Sequence, residues 1–100
     1  MKDEEFYNLE KTEEGRRKLH PLLLEEIKEK METLTESASA QNREELETIF
    51  PEALKRLEEC QDVLFMYVFF ADAPEKHFIK NMIDLANLGE EDFKKLLGQR

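Results

Sequence analysis

The sequence predicts an all-α fold, a small antiparallel bundle of four to five helices with a long central helix near 51–71. Three observations carry that expectation. Only three glycines and three prolines occur in 100 residues, too few for the tight turns of a multi-stranded sheet, while good helix formers (Glu, Lys, Leu) abound. Apolar residues recur at steps of three and four, the spacing that lines one face of a helix. The nine-residue apolar run Val63–Ala71, held between Asp62 and Asp72, has the β-branched and aromatic content of a buried strand, but nothing elsewhere in the chain is fit to pair with it. The length is that of one ordinary domain, so residues 1–100 are expected to form a single helical domain.

At the N-terminus Phe6, Tyr7 and Leu9 precede Leu19, but Gly15 and dense charge lie between them; residues 1–19 are expected to hold a short, partly ordered helix. His20-Pro21 marks a helix start, because the residue before proline avoids helical geometry and proline suits the first helical position. Leu24, Ile27, Met31, Leu34 and Ala38 then line one face, which fades within Ser37–Gln41. The opposite face, Glu25, Glu26, Lys28, Glu29, Lys30 and Glu32, reads as solvated.

Asn42-Arg43-Glu44-Glu45 fits a capping box, so a helix is expected from Asn42. The stripe Leu46, Phe50, Ala53, Leu57, Cys60, Leu64, Tyr67 and Ala71 stays in register throughout, yet Pro51 interrupts it. An interior proline removes a backbone hydrogen bond and costs about 3 kcal/mol. A short helix from Asn42 to Phe50, bent into a long one from Pro51 to Ala71, reconciles the two. A further helix is expected to start near Asp72 with Pro74 in its first turn, to face inward with Phe78, Ile79, Met82, Ile83 and Ala86, and to end at a left-handed Gly89. Glu90, Glu91 and Asp92 open a last short helix whose contacts are Phe93, Leu96 and Leu97 and which Gly98 closes.

The net charge is −9, with 14 acidic against 8 basic residues in 1–49 and 10 against 7 in 50–100. Such a surface repels nucleic acid, so no direct nucleic-acid binding is expected. The apolar run is about half the ~20 residues a membrane-spanning helix needs, and no membrane role is expected. One cysteine, Cys60, excludes an internal disulfide, and the N-terminus lacks the basic-then-apolar order of a signal peptide; a cytoplasmic setting follows.

No catalytic, cofactor-binding or metal-ligating set emerges. Helical metal sites use Glu-x-x-His pairs, but Arg17 precedes His20 and Pro74 precedes His77 at that spacing. His20 is expected to cap or end a helix and His77 to face water from a first turn. Cys60, on the apolar stripe, reads as a core thiol. Glu58 and Asp62 share a helix face and read as a solvated acidic patch. Arg16-Arg17-Lys18, near Lys11, is the basic cluster, and it reads as neutralising Glu13 and Glu14.

The apolar run therefore carries the functional expectation. Val63, Met66 and Phe70 form a second stripe with Phe69 beside it, which either receives the C-terminal helices or meets another protein. The expected function is non-enzymatic protein–protein interaction of regulatory or adaptor type, through Val63, Met66, Phe69 and Phe70, with the chain itself (a homo-oligomer, a dimer) or a protein partner. An acidic decoy that occupies a nucleic-acid-binding protein is the alternative. A carboxylate metal bundle using Glu58, Asp62 and His77 is the third reading.

Overall fold

The computed structural model describes residues 3–98, with backbone alone at Glu90 and 96–98. Every element in it is helical: α1 (Asp3–Glu10), α2 (Glu13–Ser37), α3 (Ala40–Glu59), α4 (Val63–Met66, continued as a π-helical turn over Tyr67–Ala71), α5 (Glu75–Asn87) and α6 (Glu90–Gly98). The all-α expectation holds, with six helices among the described residues instead of four to five. The molecule measures 42 × 31 × 18 Å, about two helix layers thick.

Local chemistry sets the helix starts, at places the sequence reading missed. Thr12 is extended and its Oγ1 accepts from Gly15 N at 2.9 Å, so α2 begins at Glu13 and runs straight through His20-Pro21. Pro21 is exposed, and the burial of Leu19, Leu23, Ile27, Met31 and Leu34 on one face outweighs its lost hydrogen bond. Ser39, not Asn42, caps α3, accepting from Asn42 N at 3.4 Å. Pro51 does not break α3 either. Leu46, Phe50, Ala53 and Leu57 are all buried across it.

The long helix expected over 51–71 breaks at 60–62. Cys60 takes extended backbone angles (φ −73°, ψ 128°), and Asp62 Oδ1 then caps a new helix by accepting from Phe65 N at 3.0 Å. α5 starts at Glu75 instead of near Asp72, with Pro74 just outside it. Gly89 has no positive φ; Leu88 ends α5 in extended geometry, and the Gly89 carbonyl accepts from Phe93 N at 3.0 Å in the first turn of α6. Phe93 is buried as expected, while the side chains of Leu96 and Leu97 lie outside the described residues.

One apolar cluster joins the helices through rings. Phe6 of α1 is fully buried and stacks on Tyr67 with centroids 4.0 Å apart and planes at 14°. Phe70 meets Phe78 edge-on at 6.4 Å, and Phe78 meets Phe50 at 6.1 Å. α1 is thus part of the core, and Gly15 lets it approach: a Cβ there would lie 1.9 Å from the Leu9 carbonyl oxygen.

A basic side chain covers the C-terminal end of each helix from α1 to α5. Arg16 Nη1 donates to Glu10 O at 2.8 Å, and Arg43 donates to Thr35 O and Glu36 O, both at 3.0 Å. His20 Nε2 lies 3.1 Å from Leu57 O; since a carbonyl only accepts, the ring carries its proton on Nε2. Lys30 Nζ donates to Phe70 O, Ala71 O and Ala73 O, and Arg56 Nη2 to Leu88 O. Helix ends expose orphan carbonyls and a partial negative charge, and cations answer both. His20 therefore caps a helix other than its own, and Lys30 is half-buried instead of solvated.

Candidate functional site

The break at 60–62 resets the helical phase, and the π turn shifts it again. Asp72 N reaches back five residues to Tyr67 O at 2.8 Å, so one extra residue is held in the turn. As a result Val63, Met66, Tyr67 and Phe70 all point inward, at 1%, 0%, 4% and 1% exposure. Three of the four residues expected at an interface, Val63, Met66 and Phe70, are therefore core of the chain itself, beside α2 and α5. Leu64 and Ala71, expected in the inward stripe, are only half-buried.

What α4 leaves in solvent is different: Phe69 at 44% and Val68 at 46% exposure, with half-buried Phe65 packed on Phe69 at 5.2 Å between centroids. Phe69 is the one interface residue expected from the sequence that the fold keeps outside. Leu64, Phe65, Val68 and Phe69 make an apolar strip along α4. Two side chains fix the backbone beneath it. Asn81 Nδ2 donates to Phe69 O at 2.8 Å from α5, and Lys30 holds the next carbonyls from α2. Neither residue was singled out in the sequence, because a partner 12 or about 40 positions away leaves no local signal.

Lys30 also forms the floor of a groove of about 500 Å³ lined by Glu26, Glu29, Tyr67, Asp72 and Glu75. Burial pushes its pKa down, while Asp72 and Glu26 push it back up. Its three carbonyl acceptors use all three N–H of the ammonium, which makes it a cap and cross-link instead of a free amine. Its ammonium also sits 4.9 Å from the Phe78 ring centroid.

Tyr67 donates its hydroxyl proton to Asp3 Oδ1, and this bond, followed by burial, raises the phenol pKa. A raised folded-state pKa contributes stability that is complete below the unfolded value of about 10 and is lost as pH rises beyond it. Tyr67→Phe is expected to cost about 1.5–3 kcal/mol at pH 7. It is also expected to flatten the fall in stability above about pH 10. Lys30, whose pKa is lowered, acts with the opposite sign in the alkaline range but is common to both chains. Urea unfolding of the two proteins from pH 7 to 11 checks this, and parallel curves would refute it.

The remaining candidates do not converge. His77 is exposed on α5, Glu58 is exposed at the end of α3, and Asp62 caps α4; among the described residues no three His, Cys, Asp or Glu side chains are grouped to hold a metal. Cys60 is fully buried, its Sγ 3.7 Å from Asp62 O. Arg17 and Lys18 pair with Glu13 and Glu14 on the surface at 3.0 and 3.6 Å. Among the described residues no helix is long and apolar enough to cross a membrane.

No family model, curated protein or solved structure matches the chain. The α4 strip is thus the candidate site on physical grounds alone.

Proposed function

We propose that this protein is a non-enzymatic helical bundle that works by protein–protein contact through the α4 strip. The observation that supports the reading is the exposure of Phe69 and Val68 side by side on a segment whose other large residues are buried or half-buried. Aromatic side chains are favoured anchors at interfaces because a rigid ring removes much apolar area from water at little entropic cost. The backbone below the strip is fixed by Lys30 and Asn81, so the ring is presented in a set position. Surface pairs such as Arg17–Glu13 and Lys55–Glu52 break up the negative field, which counts against the phosphate-mimicking decoy.

A photo-reactive residue placed at position 69 tests the proposal in cells, with position 25 on the exposed face of α2 as control. Discrete adducts are expected from 69 and not from 25, and they should disappear with Val68→Ser. Equal labelling from both positions, or none from 69, would refute contact through this strip.

A further inference from the structure

The body of the molecule and its first helix are held in different ways. In the body Phe70 meets Phe78 and Phe78 meets Phe50, while His20 reaches Leu57 O, Lys30 reaches Phe70 O, Arg56 reaches Leu88 O and Asn81 reaches Phe69 O. Each of these contacts joins two of the helices α2 to α5, so each stands whether or not α1 is in place. α1 has a narrower hold. Phe6 is its buried residue, Leu9 and Glu10 are half-buried, and Asp3, Glu4, Glu5, Tyr7 and Asn8 are exposed. It is held by the stack of Phe6 on Tyr67, by the Tyr67 hydroxyl on Asp3, and by Arg16 Nη1 on Glu10 O at 2.8 Å. Its eight residues are fewer than the about 12–15 that let an isolated helix persist in water, so α1 is helical only while docked. Its loss stops at the junction, because α2 is capped by Thr12 Oγ1 on Gly15 N and owes that start nothing to α1.

We infer that α1 is a detachable strap, which leaves and rejoins the body as one unit while α2 to α5 stay folded. Opening below the level of global unfolding belongs to segments with little buried apolar contact of their own. The closed strap covers the Tyr67 ring and hydroxyl, on a side of the π turn other than the one that carries exposed Val68 and Phe69. The open form bares this second aromatic face, and it does so whether or not the strip docks a partner.

Hydrogen exchange of the full chain under native conditions, followed by nuclear magnetic resonance, tests the strap. The amides of Tyr7, Asn8, Leu9 and Glu10, whose acceptors lie within α1, are compared with those of Ala53 and Leu57, which are buried in α3. Corrected for intrinsic rates, the four α1 amides are expected to share one opening constant within about threefold and to exchange at least about a hundredfold faster than the α3 pair. In about 1 M urea the α3 pair should speed up about fivefold or more and the α1 amides by less than about twofold, because the response scales with the surface bared. Phe50→Leu weakens the body at its contact with Phe78, so it should speed up Ala53 and Leu57 and leave the α1 amides within about twofold. A common rate, a common urea response, or an equal effect of Phe50→Leu on both sets would overturn the strap, since α1 would then open only when the whole chain unfolds. Protection that declines residue by residue toward Asp3 would overturn it as well, since α1 would then fray and not open as a unit.

Discussion

Met66→Glu combined with Phe70→Glu is expected to unfold the chain, with loss of the helical circular-dichroism signal at 25 °C, whereas Val68→Ser combined with Phe69→Ser keeps the fold. The four residues are neighbours in sequence, but Met66 and Phe70 are 0% and 1% exposed and Val68 and Phe69 are 46% and 44% exposed. Truncating a buried Met or Phe costs about 2–5 kcal/mol, and an unpaired buried charge adds several more. Two such changes exceed or match a total stability of about 5–15 kcal/mol. The solvent-side pair removes little buried area and should move the melting temperature by no more than about 8 °C. A folded, monomeric Met66→Glu/Phe70→Glu protein would show that these side chains face an interface and not the core.

Gly15→Val is expected to lower stability by about 2–4 kcal/mol and to release α1. The added Cβ meets the Leu9 carbonyl oxygen at 1.9 Å and its carbon at 2.6 Å, and both atoms are backbone. No side-chain rotation relieves that contact, so α1 must move and withdraw Phe6 from its stack on Tyr67. Denaturant midpoints measure the loss, and faster proteolysis near Lys11 and Thr12 reports the release. The effect should vanish when residues 1–12 are removed, because glycine is a poor helix former and its replacement within α2 is then neutral or favourable. A penalty that survives the truncation would mean that the collision with α1 is not its cause.

Much of the fold was legible in the sequence, and what was legible is what burial dictates. Ile27, Met31 and Leu34, then Leu46, Phe50, Ala53 and Leu57, then Phe78 and Met82 face inward as their spacing requires, because a helix must bury one side whatever its neighbours are. Boundaries were less legible. Pro21 and Pro51 looked like helix starts, yet each lies within a helix whose apolar face continues on both sides. Thr12 with Glu13 and Glu14, and Ser39, were the available capping signals. Asp62 before Val63 was another, hidden by a stripe that seemed to run on.

The site was legible only in outline. The apolar run was identified and Phe69 with it, but which of its faces meets solvent depends on a break of three residues and one extra residue in the π turn. A period of three and four residues assumes an unbroken helix, so it left open whether Val63, Met66 and Phe70 meet the C-terminal helices or another protein, and placed Leu64 and Ala71 inward where they are only half-buried. Which helix end each basic side chain covers could not be read. His20, Lys30 and Arg56 reach carbonyls 37, about 40 and 32 positions away.

Those long reaches bear on the order in which the molecule forms. α4 with its π turn spans nine residues, shorter than the about 12–15 that an isolated helix needs to persist in water, and its last carbonyls take side-chain donors from α2 and α5. It is therefore expected to close late in folding, once α2 and α5 are in place around it. The strip that carries Phe69 is then expected to take its native form only in the finished fold.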